Sequence, residues 1–143
     1  MITELLELAQ EELTHFQMVH QRILARGLEL GKPRKDEYVR QLMAYFPQGG
    51  KREDRLVNDL LVSAMIEARS CERFKVLSEN IKDQELAVFY RDLMVSEANH
   101  YTLFLNYARK YGDREETDKK WNALLDFEAD IMKNLGNREL IHG

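Results

Sequence analysis

The apolar positions of the chain recur at steps of three and four residues, which is the spacing of one face of an α-helix. Glycine, proline and N-cap residues interrupt this spacing at four places, so the sequence predicts five helices. They cover residues 2–26, 35–46, 53–81, 83–112 and 113–135, and no segment alternates as a strand would. The predicted fold class is therefore all-α. The apolar stripe predicted for the first helix contains Leu5, Leu8, Ala9, Glu12, His15, Phe16, Val19 and Ile23.

A carboxylate interrupts the apolar face of the third predicted helix. Glu67, in the stretch IEARSCERF (66–74), lies at helical spacing among residues such as Leu60 and Ala64. An ionised carboxylate in a core costs free energy unless it is paired or bound to a metal. Two interpretations stay open, a metal ligand and a buried salt bridge. The candidate partners of such a bridge are Arg69, Arg73 and Arg91.

Two predicted helices carry the motif Glu-x-x-His. Glu12 and His15 lie in the apolar stripe of the first helix, and Glu97 and His100 continue that of the fourth. Residues three apart share a helix face, so each pair offers an oxygen and a nitrogen ligand to one metal ion. The alternative for each histidine is an ordinary core or surface position.

A third match to the motif carries less information. Glu139 and His142 follow Gly136, in a tail without helical periodicity. We interpret this match as chance or as a tail contact.

The spacing of Glu67 and Glu97 bears on how the third and fourth helices pack against each other. Glu67 precedes Lys82 by 15 residues (82 − 67) and Glu97 follows it by 15 (97 − 82). If the helices form an antiparallel hairpin that turns near Lys82, both carboxylates lie about 22 Å from the turn. The arithmetic predicts that they lie side by side.

These residues together are typical of di-iron or di-manganese carboxylate bundles, in which four helices supply glutamates and two Glu-x-x-His motifs. Carboxylate oxygens with two imidazoles suit Fe or Mn. The sixth ligand of that pattern, a glutamate on a helix before the first, has no position here, because eleven residues precede Glu12. The five predicted ligands are Glu12, His15, Glu67, Glu97 and His100.

Composition and charge narrow the class of protein. The 143 residues are 44% hydrophobic and 32% charged, which is typical of one globular domain, residues 1–143. No apolar run is long enough for a membrane span, and the acidic N-terminus lacks the layout of a signal peptide. The single cysteine, Cys71, excludes an internal disulfide and fits a reducing cytoplasm. We take it as a small core residue or a thiol near the predicted metals.

Two short basic segments flank the second predicted helix in a chain of net charge −4. Most such segments are solvated surface, but in an acidic protein they are the best candidates for phosphate contacts. The candidate residues are Lys32, Arg34, Lys35, Lys51 and Arg52.

Four stretches resemble the family of tRNA-(2-methylthio-N(6)-isopentenyladenosine) hydroxylases. They are EELTHF (11–16), IEARSCERF (66–74), FYRDLMVSEANHY (89–101) and the end FEAD…IHG (127–143). The stretch IEARSCERF is the most specific, because a generic di-iron bundle does not require it. The resemblance covers essentially the whole chain but only the C-terminal part of the family's length.

The resemblance implies a ferritin-like helical bundle that lacks the family's first helix and the glutamate on it. It implies a non-haem di-iron monooxygenase that hydroxylates the isopentenyl group of 2-methylthio-N(6)-isopentenyladenosine at position 37 of tRNA. The expected cofactor is two Fe ions, with Mn as the alternative metal, and the expected partners are tRNA, O2 and an external electron donor. An uncovered apolar seam is also expected, which a homodimer would close.

Two other functions fit the same residues. One is a ferritin-like iron-handling or oxidase protein that binds no RNA, and the other is a metal-free helical interaction module. The stretch IEARSCERF and the basic segments favour the tRNA hydroxylase over both.

Overall fold

A computed structural model describes residues 1–33, 35–47 and 49–135 of the chain. These residues form five helices and no strand, which confirms the all-α prediction. The helices are α1 (Ile2–Ala25), α2 (Glu37–Met43), α3 (Arg52–Asn80), α4 (Gln84–Tyr111) and α5 (Arg114–Leu135). Arg34, Glu139 and His142 lie outside the described residues.

The second helix is shorter than predicted, and the reason lies at its start. The Asp36 side chain accepts a hydrogen bond from the Val39 backbone N–H at 3.2 Å, so it caps α2 and the helix begins at Glu37. An aspartate at this position fits the N-cap better than the helix interior. Helix α2 ends at Met43, so the prediction of residues 35–46 was too long at both ends.

The chain divides into two compact units, Met1–Lys35 and the part from Asp36 onward. The first unit consists of α1 and the segment after it. Helix α1 buries none of its side chains completely, but Leu5, Leu8, Glu12 and His15 are half-buried along one face.

The predicted stripe of α1 was wrong at Ala9, Phe16 and Val19, which are exposed. The Phe16 side chain is 54% exposed, and it stacks on the half-buried His20 ring at a centroid distance of 6.2 Å. Ile2, Leu6 and Leu13 are also exposed. Helix α1 therefore carries two apolar stripes, one half-buried and one exposed.

Helices α3 and α4 form the antiparallel hairpin that the spacing predicted. The Asp83 side chain accepts a hydrogen bond from the Leu86 N–H at 3.1 Å and so caps the start of α4. Across the hairpin, the Phe74 and Tyr90 rings stack at 5.9 Å. Each ring lies eight residues from Lys82 (82 − 74 and 90 − 82), as in the register that the arithmetic assumed.

Helix α5 packs against α2, α3 and α4 and closes the second unit. The Trp121 ring of α5 lies 5.8 Å from the Tyr101 ring of α4, and the Phe127 ring lies 4.5 Å from the Tyr45 ring that follows α2. Leu61 and Leu124 have no exposed surface. The core of the second unit lies between these helices.

Gly112 joins α4 to α5 in a very tight space. A Cβ atom at this position would lie 2.6 Å from Thr117 Oγ1 and 3.0 Å from Val57 Cγ2. Since Val57 belongs to α3 and Thr117 to α5, the corner brings three helices together. Asp113 then caps α5 by accepting a hydrogen bond from the Glu116 N–H at 3.0 Å.

None of the helices in the described part of the chain combines the length and the apolar character that crossing a membrane requires.

Candidate functional site

Glu97 and His100 form a buried polar pair on α4. Their exposed fractions are 5% and 4%, whereas Asn99 between them is exposed. One ligand atom of Glu97 lies within 4.8 Å of one ligand atom of His100. The three-residue spacing thus points a carboxylate oxygen and an imidazole nitrogen to one place in the interior, as the sequence predicted.

On α3, Glu67 is half-buried, and the close pair of Glu97 and His100 does not include it. Its neighbour one turn later, Cys71, is also half-buried. Burial raises the pKa of the Cys71 thiol, and the negative charge of Glu97 raises it further. This part of α3 therefore lies near Glu97. The role of Glu67 as a ligand stays a prediction.

In the first unit, Glu12 and His15 interact on α1. His15 Nδ1 lies 3.3 Å from Glu12 Oε1, and His15 Nε2 lies 3.8 Å from Glu11 Oε1. The side chain of His15 is 16% exposed and that of Glu12 is 42% exposed. The helix again holds an imidazole and a carboxylate in contact on one face.

The alternative interpretation of Glu67, a salt bridge to Arg69, is not what the structure shows. Arg69 donates a hydrogen bond to Glu72 at 2.6 Å and binds Glu128 on α5 through two nitrogens, with Nε at 2.7 Å. Glu72 lies on the exposed side of α3.

The Arg69–Glu128 pair belongs to a buried network that joins three helices. Glu128 is 6% exposed, and its Oε1 also accepts a hydrogen bond from the hydroxyl of Tyr38 on α2 at 3.3 Å. Burial raises the pKa of Tyr38, and the Glu128 charge adds to this effect, so the phenol stays neutral and remains a donor. Sequence reasoning missed this network.

A signal for Glu128 was nevertheless present in the sequence. The buried stripe of α5 is Thr117, Trp121, Leu124, Glu128, Ile131 and Leu135. A carboxylate at helical spacing within this stripe is the same signal that selected Glu67.

The predicted basic residues lie at the surface where the structure describes them. Lys32 and Lys35 are exposed in the first unit, and Lys51 and Arg52 are exposed at the start of α3 in the second. Four of the five candidates are therefore accessible to a polyanion.

The fold is a ferritin-like helical bundle, and a solved structure supports this class. The chain aligns with a protein titled "Protein 43 with aldehyde deformylating oxygenase activity from Synechococcus" with a TM-score of 0.83 and 31% sequence identity. The alignment covers 94% of this chain and 65% of that one.

A family model described as tRNA-(MS2IO6A)-hydroxylase (MiaE) matches residues 1–143, and the chain belongs to this family. A relative from Pseudomonas putida, named tRNA 2-(methylsulfanyl)-N(6)-isopentenyladenosine(37) hydroxylase, is 38% identical over 81% of this chain and 55% of its own length. A relative of the same name from Salmonella typhimurium is 31% identical over 92% of this chain and 47% of its own length. The chain thus spans about half the length of the curated relatives it matches.

The buried network gives a prediction for stability. Glu128→Gln should lower the free energy of unfolding by about 3 kcal/mol, because it removes the buried one of the two carboxylates that pair with the half-buried Arg69 guanidinium. This value is at the lower end for a buried pair, since 21% of the Arg69 side chain is exposed. Glu72→Gln is the matched control: it removes the other carboxylate bound to Arg69, which is 63% exposed, and should cost at most about 1 kcal/mol.

Denaturant unfolding followed by circular dichroism measures both variants. Equal stabilities of the two variants would show that the Glu128 contact does not hold the helices together.

Proposed function

We propose that this chain acts in the O2-dependent hydroxylation of the isopentenyl group of 2-methylthio-N(6)-isopentenyladenosine at position 37 of tRNA. The buried Glu97–His100 pair on α4 carries the proposal, because it provides a metal-binding donor set in the interior of a chain that belongs to the family throughout its length. The names of the two relatives supply the substrate and the reaction. Such a reaction on tRNA, with the single Cys71, also fits an enzyme of the cytoplasm.

The residues of the chain fit a pair of iron ions, with manganese as the alternative. Carboxylate oxygens and imidazole nitrogens are the ligands that these metals take in helical bundles. When bound, the iron would supply the activation of O2 that attack on an unreactive C–H bond requires, with electrons from an external donor. We propose Glu12, His15, Glu67, Glu97 and His100 as the ligands.

The protein contributes position and the exclusion of water. Burial of Glu97 and His100 strengthens their electrostatic interaction with a cation, because the interior screens charge less than water does. The Arg69–Glu128 pair ties α3 to α5 two residues from Glu67 and so holds in place the helix that carries that carboxylate. Glu97 and His100 would thus bind the metal, and Arg69 and Glu128 hold the helices in place.

Transfer RNA would be held by its phosphates. Lys32, Arg34, Lys35, Lys51 and Arg52 are the proposed contacts, and lysine and arginine bind phosphates whatever the base sequence. The base at position 37 must leave the stack of the anticodon loop to reach a buried site, and the phosphates on either side then need cationic partners.

We also propose that a second copy of the chain covers the exposed stripe of α1. Ile2, Leu6, Ala9, Leu13 and Phe16 follow steps of four, three, four and three residues, the spacing of a helix pair. Ile2 and Leu6 are 74% and 66% exposed. Exposure of such an apolar stripe to water costs free energy. A symmetric dimer would bury the stripe and remove that cost.

The metal ligands can be tested by iron content. Glu97→Ala and His100→Ala should each lower the iron bound per chain after anaerobic reconstitution by at least about half, because each removes one donor from a buried site. Asn99→Ala, a change at the exposed residue between them, should keep the parental iron content. Elemental analysis measures the metal and circular dichroism checks the fold. Parental iron in both ligand variants would contradict the assignment.

The phosphate contacts can be tested by the salt dependence of tRNA binding. Replacing Lys32, Arg34 and Lys35 by Ala should weaken binding and flatten the slope of log K against log salt by about 0.7–0.9 for each phosphate that the variant no longer neutralises. Iron content should not change, since none of the three is a proposed ligand.

The control for that experiment replaces three exposed lysines elsewhere, Lys110, Lys119 and Lys133, which removes the same charge. Equal salt slopes for the two triple variants would show that the segment 32–35 does not bind RNA. Binding of iron without binding of tRNA by the parent would favour the iron-handling alternative.

The dimer can be tested by sedimentation velocity. The 16.9 kDa chain should sediment with twice that mass, and Leu6→Glu with Leu13→Glu should convert it to the monomer, because two buried charges oppose the helix pair. Leu28→Glu, at a residue 59% exposed beyond the end of α1, should leave the dimer intact. A parental chain that stays monomeric at all concentrations would rule out the second copy.

A further inference from the structure

A cavity of about 470 Å³ lies in the second unit, between the end of α2, the loop after it and the first half of α3. Phe46, Val62 and Ile66 form part of its apolar lining, and Arg55 and Asp59 are among its charged residues. Its volume falls within the range of about 300–1,000 Å³ that is usual for small-molecule sites. An apolar cavity with a few charged groups suits a ligand that is partly apolar and partly ionic.

The lining residues of α3 are arranged from charged to apolar along the helix. Arg55, Asp59, Val62 and Ile66 follow steps of four, three and four residues, so they share one face over about three turns. Lys51 and Arg52 lie just before the charged end. Ile66 directly precedes Glu67, so the apolar end of the cavity reaches the level of a proposed ligand.

Two glycines before α3 stand beside the cavity, and Gly49 lines it. Gly49 and Gly50 adopt positive φ angles of 103° and 84°, which residues with a side chain rarely adopt. Arg55 donates a hydrogen bond from Nη1 to the Gly50 carbonyl at 3.2 Å, which ties the loop to α3. A guanidinium carries five N–H donors, so this bond leaves others directed elsewhere.

We propose that this cavity binds the modified adenine base of the tRNA substrate, with the isopentenyl group toward Ile66 and an adjoining phosphate on Arg55. The inference rests on the proposed function and assigns that function a binding site. The apolar lining matches the isopentenyl group, the Asp59 carboxylate can accept a hydrogen bond from the N6–H of the base, and Arg55 offers N–H donors to a phosphate. Val62 and Ile66 therefore determine the preference for the modified base, whereas the cations bind any RNA.

The test compares two anticodon stem-loops that differ only at position 37, one with 2-methylthio-N(6)-isopentenyladenosine and one with adenosine. Fluorescence anisotropy with the full chain gives the ratio of their dissociation constants. The parent should prefer the modified loop at least about tenfold, because the cavity removes the isopentenyl group from water. Val62→Trp places a bulky ring in the apolar part of the cavity and should bring the ratio close to one.

The matched control is Val76→Trp, on the same helix at a residue that is 54% exposed and does not line the cavity. It should keep the parental ratio. Ser63→Leu places a smaller group in the same cavity and should also reduce the ratio, so the test does not depend on the folding of one variant, which circular dichroism monitors.

The outcomes separate the inference from the proposed function. If folded Val62→Trp and Ser63→Leu retain the parental preference, the base binds elsewhere and the cavity assignment is wrong, although the function stands. If the parent binds both loops equally or neither, the proposed function fails and the cavity assignment fails with it.

Discussion

The register between α3 and α4 is the constraint on which the interior of the second unit depends. A residue of α3 packs near the residue of α4 that lies the same number of positions from Lys82 in the sequence. Insertion of a single residue within α4, between its start and Glu97, would rotate the rest of the helix by about 100° and move Glu97 and His100 out of the interior. The register is set locally by the Asp83 cap and, eight residues from the turn on each side, by the stacked rings of Phe74 and Tyr90.

The stretch IEARSCERF can be understood from this arrangement, because its residues serve different neighbours. Arg69 binds Glu128 on α5, Cys71 lies near Glu97 on α4, and Phe74 stacks on Tyr90. A third of α3 thus contacts two other helices through side chains of different chemistry. This explains why the stretch is more specific than the glutamate motifs around it, which require only a carboxylate at a given spacing.

Much of the fold could be predicted from the sequence, because helix ends depend on residues close in the chain. Asp83 and the change of pattern at Gly112 mark α4 to within a residue or two. The burial of Glu97 and His100 also followed from their place in an apolar stripe.

Other features depend on residues far apart in the chain and could not be predicted in the same way. The bond from Tyr38 to Glu128 joins positions 90 residues apart, and periodicity does not identify such partners. Periodicity also does not say which of two stripes on a helix is buried, so Phe16 was assigned to the wrong one. The same ambiguity does not arise on α5, which has one apolar stripe. On that helix, the burial of Glu128 could have been predicted by the criterion that selected Glu67.

The tight corner at Gly112 limits how this chain can change over evolution. A Cβ atom there would meet the Thr117 hydroxyl and a Val57 methyl group at distances shorter than non-bonded atoms normally take, so these side chains would have to rotate or their helices would have to shift. Movement of α5 would displace Glu128 from Arg69, and movement of α3 would displace the helix that carries Glu67. A substitution at the end of a helix would therefore act as a substitution of the interior. Position 112 should tolerate fewer replacements than its location at the end of a helix suggests, and drift in the sequence of this corner should require compensating changes at positions 57 and 117.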